Sequence, residues 1–127
     1  MTEVFPPELQ RIIDRFAPGW PPVLEVAAGW HPLLVELDQT LALIAPAYIV
    51  QQVKSKFGSL SFHASPSEDP YEHDEEFHEA IRAAEWRSIE TCEVCGAPAK
   101  QYVIRLWVNT LCDRHLWEAI DADPGLS

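Results

Sequence analysis

Apolar residues recur at helical spacing in two segments of the N-terminal half. The first follows Pro6 and Pro7, which suit a first helical turn, and its apolar positions are Phe5, Leu9, Ile12, Ile13 and Phe16. The second opens with Pro32 and ends before Pro46, and its apolar positions are Leu33, Leu34, Leu37, Leu41 and Ile44. We expect two amphipathic helices, with a loop or a short turn of helix at residues 20–30.

The period changes from helical to alternating between residues 48 and 62. Apolar positions here alternate with glutamine, lysine and serine, and they are Ile49, Val53, Leu60 and Phe62. Gly58 interrupts the run between its two halves. The alternation predicts a β-hairpin that turns near Phe57 and Gly58.

A third helix is predicted at residues 72–89. Its core-facing positions are Phe77, Ala80, Ile81 and Ala84. Trp86 lies about half a turn round from that stripe, because each residue advances the helix by about 100°. On the outer face, Trp86 is either covered by another part of the fold or available to a partner.

All three cysteines lie in one stretch, TCEVCGAPAKQYVIRLWVNTLCDRH, at residues 91–115. Two ligand pairs with two-residue gaps stand there, Cys92 with Cys95 and Cys112 with His115. Three thiolates and one imidazole form a closed tetrahedral set, which is typical of structural zinc rather than catalytic zinc. The alternatives are free buried cysteines beside a chance CxxC, or Asp113 as a substitute ligand.

The residues around the ligands favour a particular kind of finger. The spacer holds strand formers, which are Tyr102, Val103, Ile104, Leu106, Trp107 and Val108. Leu116, Trp117 and Ile120 then predict a short helix that Pro124-Gly125 stops. A knuckle, strands and a ligand pair at a helix start follow the order of a treble-clef finger. We therefore expect an α+β fold of about three helices and a β-hairpin, with a C-terminal treble-clef zinc finger ending in a short helix.

Five segments carry a resemblance to known proteins. They are GWHPLL (29–34), QVKSKFGSLSF (52–62), AAEWRS (83–88), CEVCGAP (92–98) and TLCDRH (110–115). Together they resemble a widespread group of small bacterial and phage zinc-knuckle proteins, and residues 91–115 also resemble treble-clef and zinc-ribbon fingers generally. The resemblance implies a bacterial-type origin and a zinc knuckle, and it implies no activity, since such fingers serve many functions.

The length of the chain and its apolar segments limit the possible number of domains and membrane spans. Its 127 residues predict one domain, with a body at 1–90 and a zinc-finger subdomain at 91–123. The N-terminal sequence lacks the pattern of a secretory signal, and no apolar run approaches the roughly 20 residues of a membrane span. We expect a cytoplasmic protein, where three cysteines fit metal binding better than a disulfide framework.

The net charge of −11 is concentrated in one segment. Residues 68–93 hold ten acidic and two basic residues. Such a surface repels a phosphate backbone and attracts a basic protein. A solvated helix face that only maintains solubility is the alternative.

No catalytic constellation stands out. His78-Glu79 does not begin an HExxH zinc site, because Arg82 occupies the second histidine position. One face of the predicted helix carries Glu75, His78, Glu79 and Arg82, which favours a surface salt-bridge cluster over the alternative of a second metal site or a general-base site. His73 and His78 would point apart on a helix. Residues 101–111 offer no histidine for a treble-clef nuclease of the HNH type, and His31 and His63 are interpreted as structural.

These observations favour a non-enzymatic, zinc-stabilised protein-interaction module. Its sharpest form is a bacterial immunity or inhibitor protein that binds a basic target. The candidate contact residues are Glu72, Asp74, Glu75, Glu76, Glu79 and Trp86. The alternative is a nucleic-acid-associated zinc-ribbon regulator, whose candidate contacts are Lys54, Lys56, Lys100, Arg105 and Arg114.

Overall fold

A computed structural model describes residues 6–121. The described elements form a mixed α/β fold with four α-helices and two small sheets. In chain order they are α1 (Pro7–Ile13), β1 (Leu24–Glu25), a 3-10 helix (Ala28–Trp30), α2 (His31–Ile44), β2 (Ile49–Lys56), β3 (Ser59–Ser65), α3 (Glu75–Ser88), β4 (Lys100–Ile104), β5 (Trp107–Leu111) and α4 (Asp113–Asp121). Phe5 and the predicted helix stop at Pro124-Gly125 lie outside the described residues.

The predicted hairpin is confirmed as β2 and β3, which pair antiparallel with Val53 opposite Phe62. Its turn falls at Phe57 and Gly58, whose φ angles are 53° and 74°. Two successive positive φ angles define a type I′ turn, which matches the twist of the strands it joins. The first sheet gains a third strand, β1, where a loop or short helix was expected, because Leu24 pairs in parallel with Val53.

The hydrophobic core lies between the first sheet and helices α2 and α3. The largest side chains that it buries completely include Trp30, Leu34, Leu41, Val50, Val53 and Phe77. All of its buried members fall between Leu9 and Ala84. Within residues 91–121, by contrast, only Cys92, Thr110 and Leu111 are buried. The C-terminal part of the described chain therefore has little apolar core of its own.

α3 begins at Glu75, three residues later than predicted, because Asp74 caps it. The Asp74 carboxylate accepts a hydrogen bond from the Phe77 amide at 3.1 Å. At the other end of α3, the amide of Leu60 donates to Ser88 Oγ at 2.9 Å. Since Leu60 lies near the start of β3, the C-terminus of α3 lies beside the β2–β3 turn, and its acidic N-terminus lies at the far end of the sheet.

Candidate metal centre

The first ligand pair lies on a tight knuckle. The Cys92 amide donates to the Ala97 carbonyl at 2.8 Å, and the Gly96 amide donates to the Cys92 carbonyl at 2.8 Å. Gly96 has φ of 82°, a left-handed conformation that a residue with Cβ rarely adopts. These constraints turn the chain so that Cys92 and Cys95 face the same point.

The second pair is delivered by β5 and α4. Strands β4 and β5 form a hairpin that returns the chain to Cys112, immediately before α4. The Leu116 amide donates to the Cys112 carbonyl at 2.8 Å, which closes the first helical turn. His115 stands in that turn, three residues after Cys112, so both side chains project to one side.

All four predicted ligand atoms lie within 4.8 Å of one another. Cys95 Sγ is 3.7 Å from Cys112 Sγ, and Cys92 Sγ is 3.6 Å from His115 Nδ1. A tetrahedral zinc ion with usual bond lengths requires about 3.8 Å between sulfurs and about 3.6 Å between sulfur and nitrogen. The separation of Cys112 Sγ from His115 Nδ1, 3.2 Å, is somewhat shorter. The four side chains are thus positioned to hold a metal ion, and the cluster does not include Asp113.

The protein environment favours the ligating form of Cys92. All three cysteines are free thiols. Burial opposes ionisation of Cys92, but its sulfur accepts hydrogen bonds from the backbone amides of Cys112, Cys95 and Val94 and from the Cys95 thiol. These donors outweigh the burial and lower the pKa of Cys92 to about 6. Because a metal binds thiolate, these hydrogen bonds favour the form of Cys92 that can act as a ligand.

The His115 ring is oriented by its own helix. Its Nδ1 faces the cysteine sulfurs, and its Nε2 lies 3.7 Å from Glu118 Oε2. The other carboxylate oxygen of Glu118 accepts from Arg114 Nε at 3.3 Å. The Glu118 carboxylate favours a proton on Nε2 of His115. The lone pair of Nδ1 is then available to bind a metal.

The knuckle is attached to the body at Gly29 and Trp30, a contact that the sequence analysis missed. The Gly29 amide donates to the Glu93 carbonyl at 2.9 Å, and Trp30 Nε1 donates to the Thr91 carbonyl at 2.9 Å. Trp30 is completely buried. Two segments quoted for the resemblance, GWHPLL and CEVCGAP, are therefore direct neighbours.

The acidic candidate residues lie mostly on the exposed surface of α3 and the loop before it. Glu72, Glu75, Glu76 and Glu79 are exposed, whereas Asp74 is occupied as the helix cap. Arg82 Nη2 donates to Glu75 Oε1 at 2.8 Å, so part of the predicted salt-bridge cluster is present. Trp86 is 69% exposed, so the described part of the fold does not cover it.

The structure also corrects the placement of the histidines in this region. The rings of His73 and His78 stack with centroids 5.3 Å apart, although helical spacing predicts that they point apart. The reason is that His73 precedes α3 and folds back along it. His63, interpreted as structural, is exposed and contacts Ser61 Oγ at 3.0 Å.

The basic candidate residues are divided among different sites. Lys56 and Arg105 line the same cleft, between the β2–β3 turn and the β4–β5 hairpin. Arg114 pairs with Glu118 on α4. Lys100 borders a separate depression next to Cys112.

Comparisons of the chain with protein-family models, with curated proteins and with solved structures find no match. No helix within residues 6–121 has the length and apolar character required to cross a membrane.

Proposed function

We propose that this protein is a non-enzymatic protein-interaction module whose C-terminal part is a zinc-stabilised treble-clef finger. Cys92, Cys95, Cys112 and His115 would hold the ion, and as a closed set they leave no position for substrate. The scarcity of buried apolar side chains within residues 91–121 supports a structural role for the ion. The ion would link the knuckle to α4 and so stabilise a segment that has little apolar core.

We propose that the interaction surface is the outer face of α3, and that the partner is a basic protein. A bacterial immunity or inhibitor protein is the specific form of this proposal. The observation that carries it is the exposure of Trp86 within an acidic helix face. Tryptophan is enriched among the residues that dominate binding energies, and an exposed one has unburied apolar area to contribute.

The spacing along α3 supports one continuous surface. Trp86 follows Glu75 by about three turns and Glu79 by about two turns, at 3.6 residues per turn. The three side chains therefore lie in one row, opposite the buried Phe77 and Ala84. Trp86 also borders a shallow cavity of about 340 Å³ with Ser59 and Ile89. A basic partner would meet the Glu79 carboxylate and the Trp86 anchor along this row, where Glu75 is shared with Arg82.

Affinity capture from a bacterial host lysate at low salt, with the zinc-loaded protein as bait, tests the proposal. We expect a basic protein that is released by salt and is lost when Glu75, Glu76 and Glu79 are all replaced by lysine. Trp86→Ala should weaken its binding at least tenfold, as for a central aromatic anchor.

The matched control replaces Glu8, Glu25 and Glu90 by lysine. These residues are exposed, and their replacement changes the net charge by the same amount as the α3 triple variant does. An equal loss of binding in the control variant would mean that the partner responds to net charge and not to the α3 face. Undiminished binding by the α3 triple variant would refute the acidic-face proposal, and retention of the protein on heparin at moderate salt would favour a nucleic-acid regulator.

A further inference from the structure

The three cysteines of the candidate metal centre differ in their access to solvent. Cys92 is completely buried, Cys112 is half-buried and Cys95 is exposed. A depression of about 230 Å³, lined in part by Lys100 and Cys112, lies against the second of these. A small oxidant dissolved in the solvent therefore meets Cys95 first and Cys112 next, whereas the chain shields Cys92.

The two sulfurs that solvent can reach are neighbours. Cys95 Sγ lies 3.7 Å from Cys112 Sγ. A disulfide bond of about 2.0 Å requires the two atoms to approach by less than about 2 Å. Cys95 stands between Val94 and Gly96, which are also exposed, so a shift of this size displaces no buried side chain of the knuckle tip. The pair can thus be joined by a small movement at the surface.

Cys92 is the competing partner for Cys95, since its sulfur also accepts a hydrogen bond from the Cys95 thiol. Two features hold Cys92 in place. Backbone amides donate to its sulfur, and its own amide donates to the Ala97 carbonyl at 2.8 Å. Because Cys92 is buried and fixed, Cys112 is the better placed of the two to react with an oxidised Cys95.

We propose that Cys95 and Cys112 are a peroxide-sensitive thiol pair, and that their oxidation to a disulfide releases the metal ion. This inference rests on the proposed zinc site and goes beyond it, because a purely structural ion needs no means of release. Oxidation would leave Cys92 and His115 as the remaining ligands, whereas structural zinc takes four. The knuckle and the start of α4 would then be joined by the disulfide in place of the ion.

The chemistry needs hydrogen peroxide as the oxidant and proceeds in two steps. The Cys95 thiolate attacks one peroxide oxygen, so that an S–O bond forms, the O–O bond breaks and hydroxide leaves. The Cys112 thiolate then attacks the sulfur of the resulting sulfenic acid, so that the S–S bond forms, the S–O bond breaks and a second hydroxide leaves. Two thiolates together lose two electrons, and the peroxide is reduced to two hydroxide ions, which take up protons from water.

Treatment of the zinc-loaded protein with hydrogen peroxide tests the proposal, with zinc release followed by a chromogenic chelator. We expect release of one zinc per chain, and no release when catalase has first destroyed the peroxide. Reduction with dithiothreitol in the presence of added zinc should restore the loaded protein, because a disulfide is reversible whereas sulfinic and sulfonic acids are not restored by a thiol.

Mass spectrometry of the oxidised wild type identifies the bond. Free thiols are first alkylated, and trypsin then cleaves after Lys100, Arg105 and Arg114. We expect the peptide of residues 88–100 to be joined to that of residues 106–114, with fragment ions that place the link at Cys95. A bond between Cys92 and Cys95 would stay within the first peptide. That result, or a link from Cys92 to Cys112, would overturn the proposal.

Two histidine substitutions separate the thiol pair from the metal site. Cys95→His keeps four ligands, as two thiolates and two imidazoles, which is also a usual structural zinc set. It should release zinc in peroxide more slowly than wild type by roughly tenfold or more, because the exposed thiolate is gone. Cys92→His is the matched control, since it has the same ligand types and keeps both thiols of the pair, and it should release zinc as wild type does. If either variant fails to load zinc, the mapping of the wild-type disulfide decides alone.

The outcomes also separate this inference from the proposed function. Loaded wild type that keeps its zinc in peroxide, or loaded Cys95→His that releases zinc as fast as wild type, would refute the thiol switch and leave the structural zinc site standing. A wild-type chain that binds no zinc would refute the proposed site and the switch together.

Discussion

A Cβ atom placed on Gly29 would lie 2.2 Å from the carbonyl oxygen of Cys92 and 2.5 Å from the carbonyl carbon of Glu93. Both are backbone atoms of the cysteine knuckle, so they cannot rotate away as a flexible side chain would. Glycine at position 29 therefore lets the 3-10 helix before α2 approach the candidate metal centre closely. The contact connects the hydrophobic body to the finger.

We expect Gly29→Ala to displace the knuckle and to reduce both stability and metal retention. Overpacking usually costs about 1–3 kcal/mol, and contact with rigid backbone should bring this one to the upper end. Urea unfolding gives the stability, and the rate of zinc transfer to a chromogenic chelator gives the retention. Gly19→Ala is the control: Gly19 has φ of 90° but no atom within 4 Å of an added Cβ, so it should lose stability without faster zinc transfer. Equal transfer rates for both variants would contradict the proposed role of the contact.

Removal of the metal should unfold the finger and leave the body folded. Structural zinc contributes roughly 10–16 kcal/mol in small fingers, against a total stability of about 5–15 kcal/mol for a domain. We expect elemental analysis to find one zinc per chain, and hydrogen exchange after chelation to accelerate in residues 91–121 far more than in α2. Cys112→Ser should reproduce the effect without a chelator.

His63→Ala is the matched control for the ligand substitutions, since His63 is exposed and lies outside the cluster. It should keep one zinc per chain and normal exchange. Protection of residues 91–121 that survives complete removal of zinc would show that the finger folds without the ion.

The features predicted correctly from sequence are those encoded locally. Two prolines and an apolar stripe were enough to predict α2. A change of period and Gly58 were enough to predict the β2–β3 turn. The cluster of the four candidate ligands was equally predictable, because each pair carries its own two-residue spacing. Assembly of the two pairs within 4.8 Å follows from the hairpin that joins them.

The features that were missed depend on contacts between distant segments. β1 is only two residues long, and it is a strand because Leu24 pairs with Val53. Nothing around Gly29 indicates that residues 92–93 lie against it. The β4–β5 turn at Arg105 and Leu106 lacks asparagine and glycine, the local signal for such a turn, so its position was not predicted.

Asp74 should prove to be a structural residue although it stands among the candidate partner contacts. Its carboxylate caps α3 through the Phe77 amide. We expect Asp74→Ala to lower the free energy of unfolding by about 1 kcal/mol, and Asp74→Ser to recover most of it, because serine also caps helices. Thermal unfolding followed by circular dichroism measures both. Glu79→Ala, which removes an exposed carboxylate inside the helix, is the control and should change stability by less than about 0.5 kcal/mol. A loss in Asp74→Ser as large as in Asp74→Ala would exclude the capping role.

The buried phenol of Tyr48 should make the protein sensitive to alkaline pH. Tyr48 is 1% exposed, and its hydroxyl donates to the Asp38 carboxylate, which also pairs with Arg15 Nε at 3.3 Å. Burial, and then the hydrogen bond and charge of Asp38, raise the pKa of Tyr48 well above its ordinary value of 10.0. The unfolded chain therefore releases this proton at a lower pH than the folded chain. The stabilising contribution is complete below about pH 10 and is lost as pH rises further, by up to about 1.4 kcal/mol per pH unit.

Tyr48→Phe removes this proton, so its stability should fall less steeply than that of wild type between pH 10 and 11. At pH 7 the variant should be less stable by about 1–3 kcal/mol, because buried Asp38 loses a hydrogen-bond donor. The two stabilities should converge as pH rises, which urea unfolding at pH 7, 9, 10 and 11 can measure. Tyr71→Phe is the control, since Tyr71 is 92% exposed and its substitution should leave the wild-type slope unchanged. Parallel curves for wild type and Tyr48→Phe would mean that another group governs alkaline unfolding.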